Sequence, residues 1–353
     1  MGKLAVYKFA ALMFLVLQII VTIFTFIGLY GGNVNPIESE ARAIMTFILP
    51  FLIIANVVLL AYWLIRKKWF FAIIPVLTIA CCIPYMGTLY QFGSLDKAAE
   101  KKDGLKIATY NVAMFGRETS GFMALDILAE MRRQKVDVLC LQEYNEISGD
   151  KKNSDSYKEY FPYMKTGRDD MVIFSRYPLK DSKTLLFEDS NQSAMWADVE
   201  VNGDQIRIFN VHLQSTGINS TLRRAVKIQR SHPGQKLSET KVAQAIFGSY
   251  TLGMLFRAGQ AITIANEKRN AGKPCIVCGD FNDVPYSYVY NTILGNMVDG
   301  FKECGSGFMY TYRGKKMVRI DYIFHDESLK GLTYYKEDLT TSDHYPVFMK
   351  VAL

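Results

Sequence analysis

Residues 274–283 read Pro-Cys-Ile-Val-Cys-Gly-Asp-Phe-Asn-Asp, and this short stretch decides the fold. Its apolar part, 275–278, predicts a buried strand that ends at the following glycine. Asp280 and Asn282 are therefore expected at the strand tip. The two cysteines form a Cys-x-x-Cys pattern, which also occurs in zinc and redox sites. Residues three apart on a strand face opposite sides, so the pattern favours two buried structural cysteines.

Five other apolar segments carry polar groups at one end in the same way. They are Thr109-Tyr110-Asn111, Leu141-Gln142-Glu143, Asn210-Val211-His212-Leu213, Arg319-Ile320-Asp321-Tyr322 and Ser342-Asp343-His344. Each segment alone is compatible with an ordinary turn or cap. If the six tips converge, four carboxylates, two amides and two imidazoles meet. Carboxylate and amide oxygens suit Mg²⁺ or Mn²⁺, and imidazoles stabilise charge on a phosphate oxygen, so the set favours phosphoryl chemistry over a closed zinc site.

The pattern between 105 and 353 alternates predicted strands with helical stretches. Apolar and polar residues alternate on both sides of Asn202-Gly203-Asp204, which predicts a hairpin formed by 195–201 and 205–213. Adjacent hairpins argue against a purely parallel sheet. We therefore predict a mixed α/β domain with two antiparallel-rich sheets packed face to face and helices outside.

Three runs without a charged residue precede this domain, at about 9–30, 43–65 and 69–92. Each exceeds the roughly 20 apolar residues that cross a bilayer, so three transmembrane helices are predicted. A cleaved signal peptide is the alternative for the first run, but that run is longer than a signal-peptide core and two more follow it. The predicted organisation is a membrane domain over 1–93, a polar linker over 94–104 and a catalytic domain over 105–353.

Flanking charge predicts the orientation of these helices. Two lysines precede the first run, and Arg66–Lys68 forms the turn between the second and third runs. The positive-inside rule places both in the cytoplasm, and three crossings then place the catalytic domain on the outer face, periplasmic or extracellular. Three lysines after the third run, at 101, 102 and 106, favour the opposite orientation. The net charge of +7 is compatible with an anionic partner, either a phospholipid surface or nucleic acid.

The ordered series of segments resembles the endonuclease/exonuclease/phosphatase superfamily, which includes pancreatic deoxyribonuclease, abasic-site endonucleases, inositol-polyphosphate 5-phosphatases and neutral sphingomyelinases. The resemblance extends over about 105–353 and implies a four-layer α/β sandwich of two packed mixed sheets flanked by helices. The matching segments are TYN ending at Asn111, LQE ending at Glu143, SRYP at 175–178, NVHL around His212, GDFND with Asp280 and Asn282, RIDYIF with Asp321, and SDHYPV with Asp343 and His344.

The resemblance implies a divalent cation, Mg²⁺ or Mn²⁺, as cofactor. Glu143 looks like its principal ligand, and Asn111 and Asp343 would complete or support the cation site. In this reaction water attacks phosphorus in line, without a covalent enzyme intermediate.

The resemblance also implies the roles of the remaining tip residues. Asp280 would orient or deprotonate the attacking water, and Asn282 would hold a phosphate oxygen. His344, oriented by Asp321, would stabilise the developing charge. His212 would contact the phosphate or help to protonate the leaving oxygen.

About 40 residues, 214–256, depart from the family pattern and look like an insertion next to the His212 strand. Its first part contains Arg223 and Arg224, followed by Lys227 and Arg230, which share one face if the segment is helical. One interpretation is a basic, membrane-facing lid or substrate rim, with the two arginines as substrate-binding candidates. The other is a solvated helix followed by an extra core-packing helix.

These features predict a membrane-anchored, metal-dependent phosphoesterase, most simply a phosphodiesterase. Tethering keeps the site near the bilayer, which favours a lipid head group or a lipid-linked phosphate ester as substrate. A membrane-tethered nuclease that cleaves DNA or RNA is the main alternative. A non-catalytic binding module on the same fold is a further alternative, but it predicts the loss of a key group and none is missing. The bilayer and the phosphate ester are the expected partners, and no protein partner follows from the sequence.

Overall fold

The computed structural model describes residues 3–94, 96–114, 122–144, 151–168, 170–188, 190–231, 238–313 and 317–353. The helices are α1 (Lys3–Gly31), α2 (Glu40–Ile65), α3 (Trp69–Cys81), α4 (Ile83–Met86), α5 (Lys97–Glu100), α6 (Phe122–Arg133), α7 (Lys151–Tyr160), α8 (Ile218–Ser231), α9 (Glu239–Arg269), α10 (Tyr288–Leu294) and α11 (Gly300–Cys304). The strands are β1 (Tyr90–Gln91), β2 (Leu105–Asn111), β3 (Val138–Gln142), β4 (Tyr163–Thr166), β5 (Met171–Ser175), β6 (Leu179–Leu186), β7 (Ser193–Val201), β8 (Asp204–His212), β9 (Cys275–Asp280), β10 (Val298–Asp299), β11 (Gly307–Phe308), β12 (Asp321–His325), β13 (Lys330–Lys336) and β14 (Val347–Ala352).

The chain divides into two units. The first unit comprises Met1–Thr88 together with Val284–Asn291, and the second comprises Leu89–Asp283 together with Thr292–Leu353. The first unit contains the apolar N-terminal helices, and the second contains both large sheets.

In the first unit, α1 and α2 are long and apolar enough to cross a membrane. Only 11% and 28% of their most apolar windows are buried, so their apolar side chains face outward. A buried polar network lies between the helices: Gln18 Nε2 donates to Asn56 Oδ1 at 3.0 Å, and Asn56 Nδ2 donates to Thr25 Oγ1 at 2.9 Å. Apolar groups outside and amide or hydroxyl hydrogen bonds between helices are typical of helices that associate in lipid.

The third predicted span, 69–92, differs from what the structure contains. The helix that begins at Trp69 ends at Cys81, and α4 is a separate four-residue helix that carries Pro84 near its start. Pro84 supplies no amide hydrogen in the first turn of α4, but proline alone does not set the interruption, because Pro50 and Pro75 lie inside α2 and α3. Tyr90 and Gln91 do not belong to a helix at all, since they pair as a strand with β11. Two helices, rather than three, thus meet the length for a span within the described residues.

The second unit contains two six-stranded mixed sheets. Sheet I has the order β13-β14-β2-β3-β5-β4, and sheet II has the order β10-β12-β9-β8-β7-β6. Each sheet has one parallel pair at its centre, β2–β3 in sheet I and β8–β9 in sheet II. The other neighbouring strands within these two sheets run antiparallel.

The core between the sheets consists of aliphatic side chains from both. Ile107 and Ile173 come from sheet I, and Ile208, Ile276 and Ile323 come from sheet II. Each of these five side chains is fully buried, and at about 25 cal/mol per Å² of apolar surface such burial is the main term that holds the sheets together.

Helices cover the outer faces of the two sheets. Ile127 and Leu128 of α6 pack with the outward side chains of sheet I. The second half of α9 is buried, and Trp196 Nε1 of sheet II donates to Glu267 of that helix at 3.3 Å. The predicted fold class of two packed mixed sheets flanked by helices is therefore confirmed.

Two local predictions are also confirmed. β7 and β8 form the antiparallel hairpin, and Asn202 and Gly203 of its turn adopt left-handed φ angles of 54° and 96°. Asparagine and glycine tolerate this conformation, which the tight turns of hairpins require. The two cysteines of β9 are buried and free.

The segment predicted as an insertion forms helix α8 and the first half of α9. α8 is exposed along most of its length, and α9 becomes buried only from Gly253 onward. Within the predicted insertion, α9 is exposed or half-buried up to Leu252, and Gly253 and Met254 are buried.

Candidate active site

The strand tips of both sheets meet at one edge of the sandwich because of the strand directions. In the parallel pairs, Asn111 lies opposite Gln142, and His212 lies opposite Asp280. Carboxyl ends of parallel strands share an edge. The amino ends of the antiparallel neighbours β12 and β14 lie at this same edge, and Asp321 is the register partner of Asp280. The predicted convergence of the tips is thus a product of sheet topology.

Asp280 is the central group of the site, and its side chain is 2% exposed. Its Oδ2 atom lies 3.7 Å from His344 Nε2 and 4.0 Å from His212 Nε2. Asn111 Nδ2 donates to the same oxygen at 3.0 Å. With the amide of Asn282, which also donates to it, this one carboxylate oxygen faces two imidazoles and two amides.

Asp321 binds His344 through Nδ1, the ring nitrogen that does not face Asp280. This nitrogen lies 3.1 and 3.0 Å from the two oxygens of Asp321, and both side chains are buried. Ser342 Oγ accepts from the His344 backbone amide at 3.1 Å and donates to the Asn111 carbonyl at 2.7 Å, which fixes the loop before β14. With Nδ1 paired to a carboxylate, His344 presents Nε2 toward Asp280.

His212 is held by a residue that the sequence did not reveal, Asp170. His212 Nδ1 lies 3.3 Å from Asp170 Oδ2, and the Asp170 side chain is 23% exposed. Asp170 directly precedes β5, which runs antiparallel to β3 and therefore begins at the site edge. The only signal in the sequence was an acidic residue before a predicted strand. That signal is weak as long as the pairing of this strand with β3 is unknown.

Glu143 follows β3 and is the most accessible of these carboxylates. Its side chain is 37% exposed, and its Oε1 lies 3.8 Å from His212 Nε2. Its backbone adopts a left-handed φ of 49°, which is strained for a residue with a long side chain. Such strain is found at sites where the surrounding structure must aim a functional group.

Asn111 links Glu143 to Asp280. Its Nδ2 donates to Glu143 Oε1 at 3.1 Å as well as to Asp280, and its Oδ1 accepts from the Ala113 amide at 3.1 Å. An amide nitrogen cannot ligate a cation. Asn111 can therefore act as a ligand only if its amide turns over, so that the oxygen faces Glu143.

Asn282 orients Asp280. Its backbone amide donates to Asp280 Oδ1 at 2.8 Å, and its Nδ2 donates to Asp280 Oδ2 at 3.2 Å and to the Leu213 carbonyl at 2.9 Å. Both amide hydrogens of the side chain are engaged in these contacts. The predicted phosphate contact of Asn282 would require one of them to be released.

Gly279 has no side chain, which allows β9 to lie close to Val211 of β8. A side chain there would lie 1.9 Å from the Val211 carbonyl oxygen, and the φ of +137° is one that other residues rarely adopt. This explains why the motif has glycine directly before Asp280.

A second set of buried polar contacts supports the loops. Arg257 Nε of α9 donates to Asp283 Oδ2 at 3.1 Å, and its Nη1 donates to the Gln214 carbonyl at 3.0 Å. Gln260 Oε1 accepts from the Gln214 amide at 2.8 Å. The buried half of α9 thus ties the loop after β8 to the loop after β9. Asp283, for which the sequence indicated no chemistry, is part of this structural pair.

Beneath the site, two amide side chains join the sheets. Gln142 Nε2 of sheet I donates to Asn210 Oδ1 of sheet II at 2.6 Å, and Asn210 Nδ2 donates to the carbonyls of Leu141 and Val172. Both amides are fully buried. They fix the spacing of the two sheets directly below the reacting groups, a role that the sequence did not indicate.

Three predicted residues lie apart from these contacts. Asp343 is exposed, and its backbone carbonyl accepts from the Arg313 amide at 2.7 Å. Arg223 and Arg224 are exposed on α8. Among the described residues, no hydrogen bond or ion pair joins these two arginines to the strand-tip groups.

Burial and neighbouring charge set the protonation of the site. Burial, reinforced by the charge of Asp321, raises the pKa of Asp280 to about 6 against the opposing effect of the imidazoles. For His344, burial opposes protonation, but Asp321 and Asp280 outweigh it and raise the pKa to about 10. Burial also lowers the pKa of His212, but the hydrogen bond to Asp170 and the nearby carboxylates outweigh this effect and raise the pKa. Asp280 is thus a carboxylate near its titration point, beside an imidazolium.

Residues 108–344 match the model of the Endonuclease/Exonuclease/phosphatase family. The chain belongs to this family. Its members are metal-dependent phosphoesterases, and the chain is accordingly a phosphoric ester hydrolase by family. Residues 11–89 match a second model, described as a domain of unknown function, DUF8431.

Several solved structures are similar to part of this chain. A humanized TDP2 from D. rerio that carries 14 mutations is 17% identical, with a TM-score of 0.49, and the match covers 70% of this chain and 99% of that one. A family protein from Bacteroides vulgatus is 18% identical, with a TM-score of 0.48 and coverage of 71% and 100%. A mannosyl-6-phosphatase from Bacteroides thetaiotaomicron is 17% identical, with a TM-score of 0.46 and coverage of 70% and 100%. No curated protein matches the chain.

The donor set fits the divalent metal that the family uses. Asp280, Asp321 and His344 place ligand atoms within 4.8 Å of one another and are all buried. In the described structure, however, Asp321 engages His344 through both oxygens, so these two groups form a pair. The Glu143 side chain is 37% exposed, and together with Asp280 it offers the hard oxygen donors that Mg²⁺ or Mn²⁺ prefers.

Proposed function

We propose that this protein is a membrane-anchored phosphodiesterase that hydrolyses a phosphate ester by in-line attack of water. The observation that carries the proposal is the placement of Asp280 Oδ2 between His212 Nε2 and His344 Nε2, at 4.0 and 3.7 Å. A base between two donors can take a proton from water while the donors face the phosphate oxygens.

Each side chain has a defined task in this proposal. Asp280, with its raised pKa, orients the water and accepts its proton. His344, kept protonated by Asp321, stabilises the charge that develops on the phosphate oxygens. His212 contacts the phosphate or donates to the leaving oxygen, and Asp170 sets its tautomer. Asn282 holds Asp280 in place and offers its amide to a phosphate oxygen.

Glu143 is the principal residue that would hold the cation, which we expect to be Mg²⁺ or Mn²⁺. Asn111, after its amide turns over, and Asp343 would support it. When bound, the cation supplies Lewis-acid polarisation of the phosphate and a fixed template for the substrate. The predicted set contains four carboxylates and two imidazoles. This excess of negative groups attracts a cation.

The outward apolar faces and inward polar network of the first unit support membrane anchoring. We propose that the N-terminus is cytoplasmic and that the second unit lies on the outer face, which requires an odd number of crossings. Residues 69–86, which include α3 and α4, would be the third crossing, since about 18 residues at 1.5 Å each extend about 27 Å. A reporter that is active only outside the cytoplasm, fused after Leu353, should be active. Activity only of a cytoplasmic reporter at that position would refute this topology.

A chain that is anchored beside a bilayer meets lipid-linked phosphates first, so we propose a lipid head group or a lipid-linked phosphate ester as the substrate. The experiment is a cleavage screen of the full chain with Mg²⁺ and Mn²⁺. It compares phospholipids, sphingomyelin, inositol phosphates, DNA and RNA, together with a soluble diester and the matching monoester. Cleavage of nucleic acid alone would replace the lipid proposal with a tethered nuclease.

Asp280→Asn tests the catalytic assignment. The variant keeps the size of the side chain but removes the base, so kcat on the soluble diester should fall at least about 10³-fold. Asp181→Asn, on the exposed part of β6, is the matched control and should retain wild-type activity. Retained hydrolysis in Asp280→Asn with intact folding would show that the base is another group.

A further inference from the structure

Helix α8 has a surface that the proposed chemistry does not use. Its sequence contains four basic residues and no acidic one. The basic residues are Arg223, Arg224, Lys227 and Arg230, and all four are exposed. A helix face of this kind is complementary to an anionic partner.

The same helix exposes large aliphatic side chains beside the basic ones. Leu222 is 40% exposed, Val226 50% and Ile228 42%. Leu222 and Val226 are one turn apart and form a stripe, and Arg223 and Lys227 form the adjacent stripe. Exposed aliphatic side chains next to basic ones are the pattern of helices that lie in the membrane interface.

α8 packs on one side against the first half of α9. Thr221 Oγ1 and Ser249 Oγ lie 2.8 Å apart, and a side chain at Gly217 would lie 3.2 Å from the Ser249 Cβ atom. The first half of α9 also exposes apolar groups, with Phe247 and Leu252 each 56% exposed. The two helices therefore form a helical hairpin with aliphatic and aromatic side chains on its surface.

We propose that α8 docks on an anionic phospholipid bilayer, with its basic side chains at the lipid phosphates and Leu222 and Val226 at the acyl boundary. Basic amphipathic helices with aliphatic groups on the other face bind bilayers in this way. The inference rests on the proposed membrane-anchored function, which places a bilayer within reach of the chain. It also assigns the exposed arginines of α8 to the lipid surface.

Docking of α8 has a consequence for the site. Only five residues, 213–217, separate His212 from the start of α8. The six residue steps from His212 to Ile218 extend at most about 22 Å, so a docked α8 holds the tip of β8 near the head-group layer. The docking face thus selects substrates that are themselves part of the bilayer.

Hydrogen exchange of the full chain in lipid nanodiscs tests the docking. Amide exchange of 218–231 should be about tenfold slower in discs that contain phosphatidylglycerol than in discs of phosphatidylcholine alone. Replacement of the four basic residues by glutamine should abolish the difference, and Arg→Lys replacement at 223, 224 and 230 should preserve it. The matched control replaces four exposed lysines elsewhere, Lys135, Lys158, Lys302 and Lys330, by glutamine and should behave as wild type.

Two further measurements distinguish a failure of the docking proposal from a failure of the proposed function. Equal exchange in both kinds of disc would overturn the docking proposal, and slowing only by a DNA duplex added to neutral discs would assign the helix to nucleic acid instead. Asp280→Asn should keep the lipid-dependent slowing although it lacks activity. If wild type shows the slowing but cleaves no phosphate ester, the proposed function fails while the docking stands.

Discussion

Asp280 has an imidazole on each side, and the two sides are built differently. His344 is paired through Nδ1 with both oxygens of Asp321, at 3.1 and 3.0 Å, and the Asp321 side chain is 1% exposed. His212 meets one oxygen of Asp170 at 3.3 Å, and that carboxylate is 23% exposed. Water weakens an interaction of accessible charges, so the Asp321 side is electrostatically the firmer one.

This difference suits the two histidines to different catalytic roles. A buried imidazolium that cannot easily lose its proton is suited to stabilise charge throughout the reaction. An imidazole with a weaker, partly hydrated partner can exchange its proton and so serve the leaving oxygen. We therefore propose charge stabilisation for the His344 side and proton exchange for the His212 side.

Of the changes that compare the two sides, Asp321→Asn has the largest expected effect. Without the carboxylate, His344 is no longer held as an imidazolium at neutral pH, and kcat on a soluble diester should fall about 10²- to 10⁴-fold. Steady-state kinetics with Mg²⁺ present measure the loss, with Asp181→Asn as the control. A fall of less than about tenfold would mean that His344 does not depend on Asp321.

A smaller effect is expected from Asp170→Asn. This change removes a partly exposed partner and leaves Glu143 and Asp280 near His212, so kcat should fall only about tenfold. The measurement is the same assay, run in parallel with Asp321→Asn. Equal losses in the two variants would refute the distinction between the two sides.

The mildest test leaves the sequence unchanged. It follows the protonation of the two histidines with pH in the metal-free chain, by NMR of the imidazole carbons. His344 should stay protonated until pH about 10, and His212 should lose its proton at a lower pH. Because the folded pKa of His344 lies above its ordinary value, its contribution to stability is complete below pH about 6.5 and is lost as pH rises toward 10. Simultaneous deprotonation of the two residues would contradict the comparison.

Much of the site was predictable from the sequence because it follows from local pattern. Asn111, Glu143, His212 and Asp280 each end an apolar run, and their shared edge follows once the runs are strands. The hairpin around 202–203 was predictable for the same reason, since its turn needs residues that tolerate left-handed backbone.

The missed features depend on contacts between distant parts of the chain. Asp170 precedes a strand whose pairing with β3 no local signal indicates. The bridge between Gln142 and Asn210 joins two sheets and requires their relative placement. The third apolar run was predicted to reach residue 92, but α3 ends at Cys81 and Tyr90–Gln91 pair with β11, a distant pairing that hydropathy does not indicate.

The position of β14 has a consequence for biogenesis. β14 lies between β2 and β13 in sheet I, and Ser342 Oγ reaches the Asn111 carbonyl across 231 residues of chain. During synthesis, β2 can pair with β3 early, but β14, its neighbour on the other side, leaves the ribosome much later. The nascent chain must therefore keep the open edge of a strand that is buried in the finished fold from aggregating until β14 arrives, which makes chaperone protection and slow maturation of the catalytic unit the expected course.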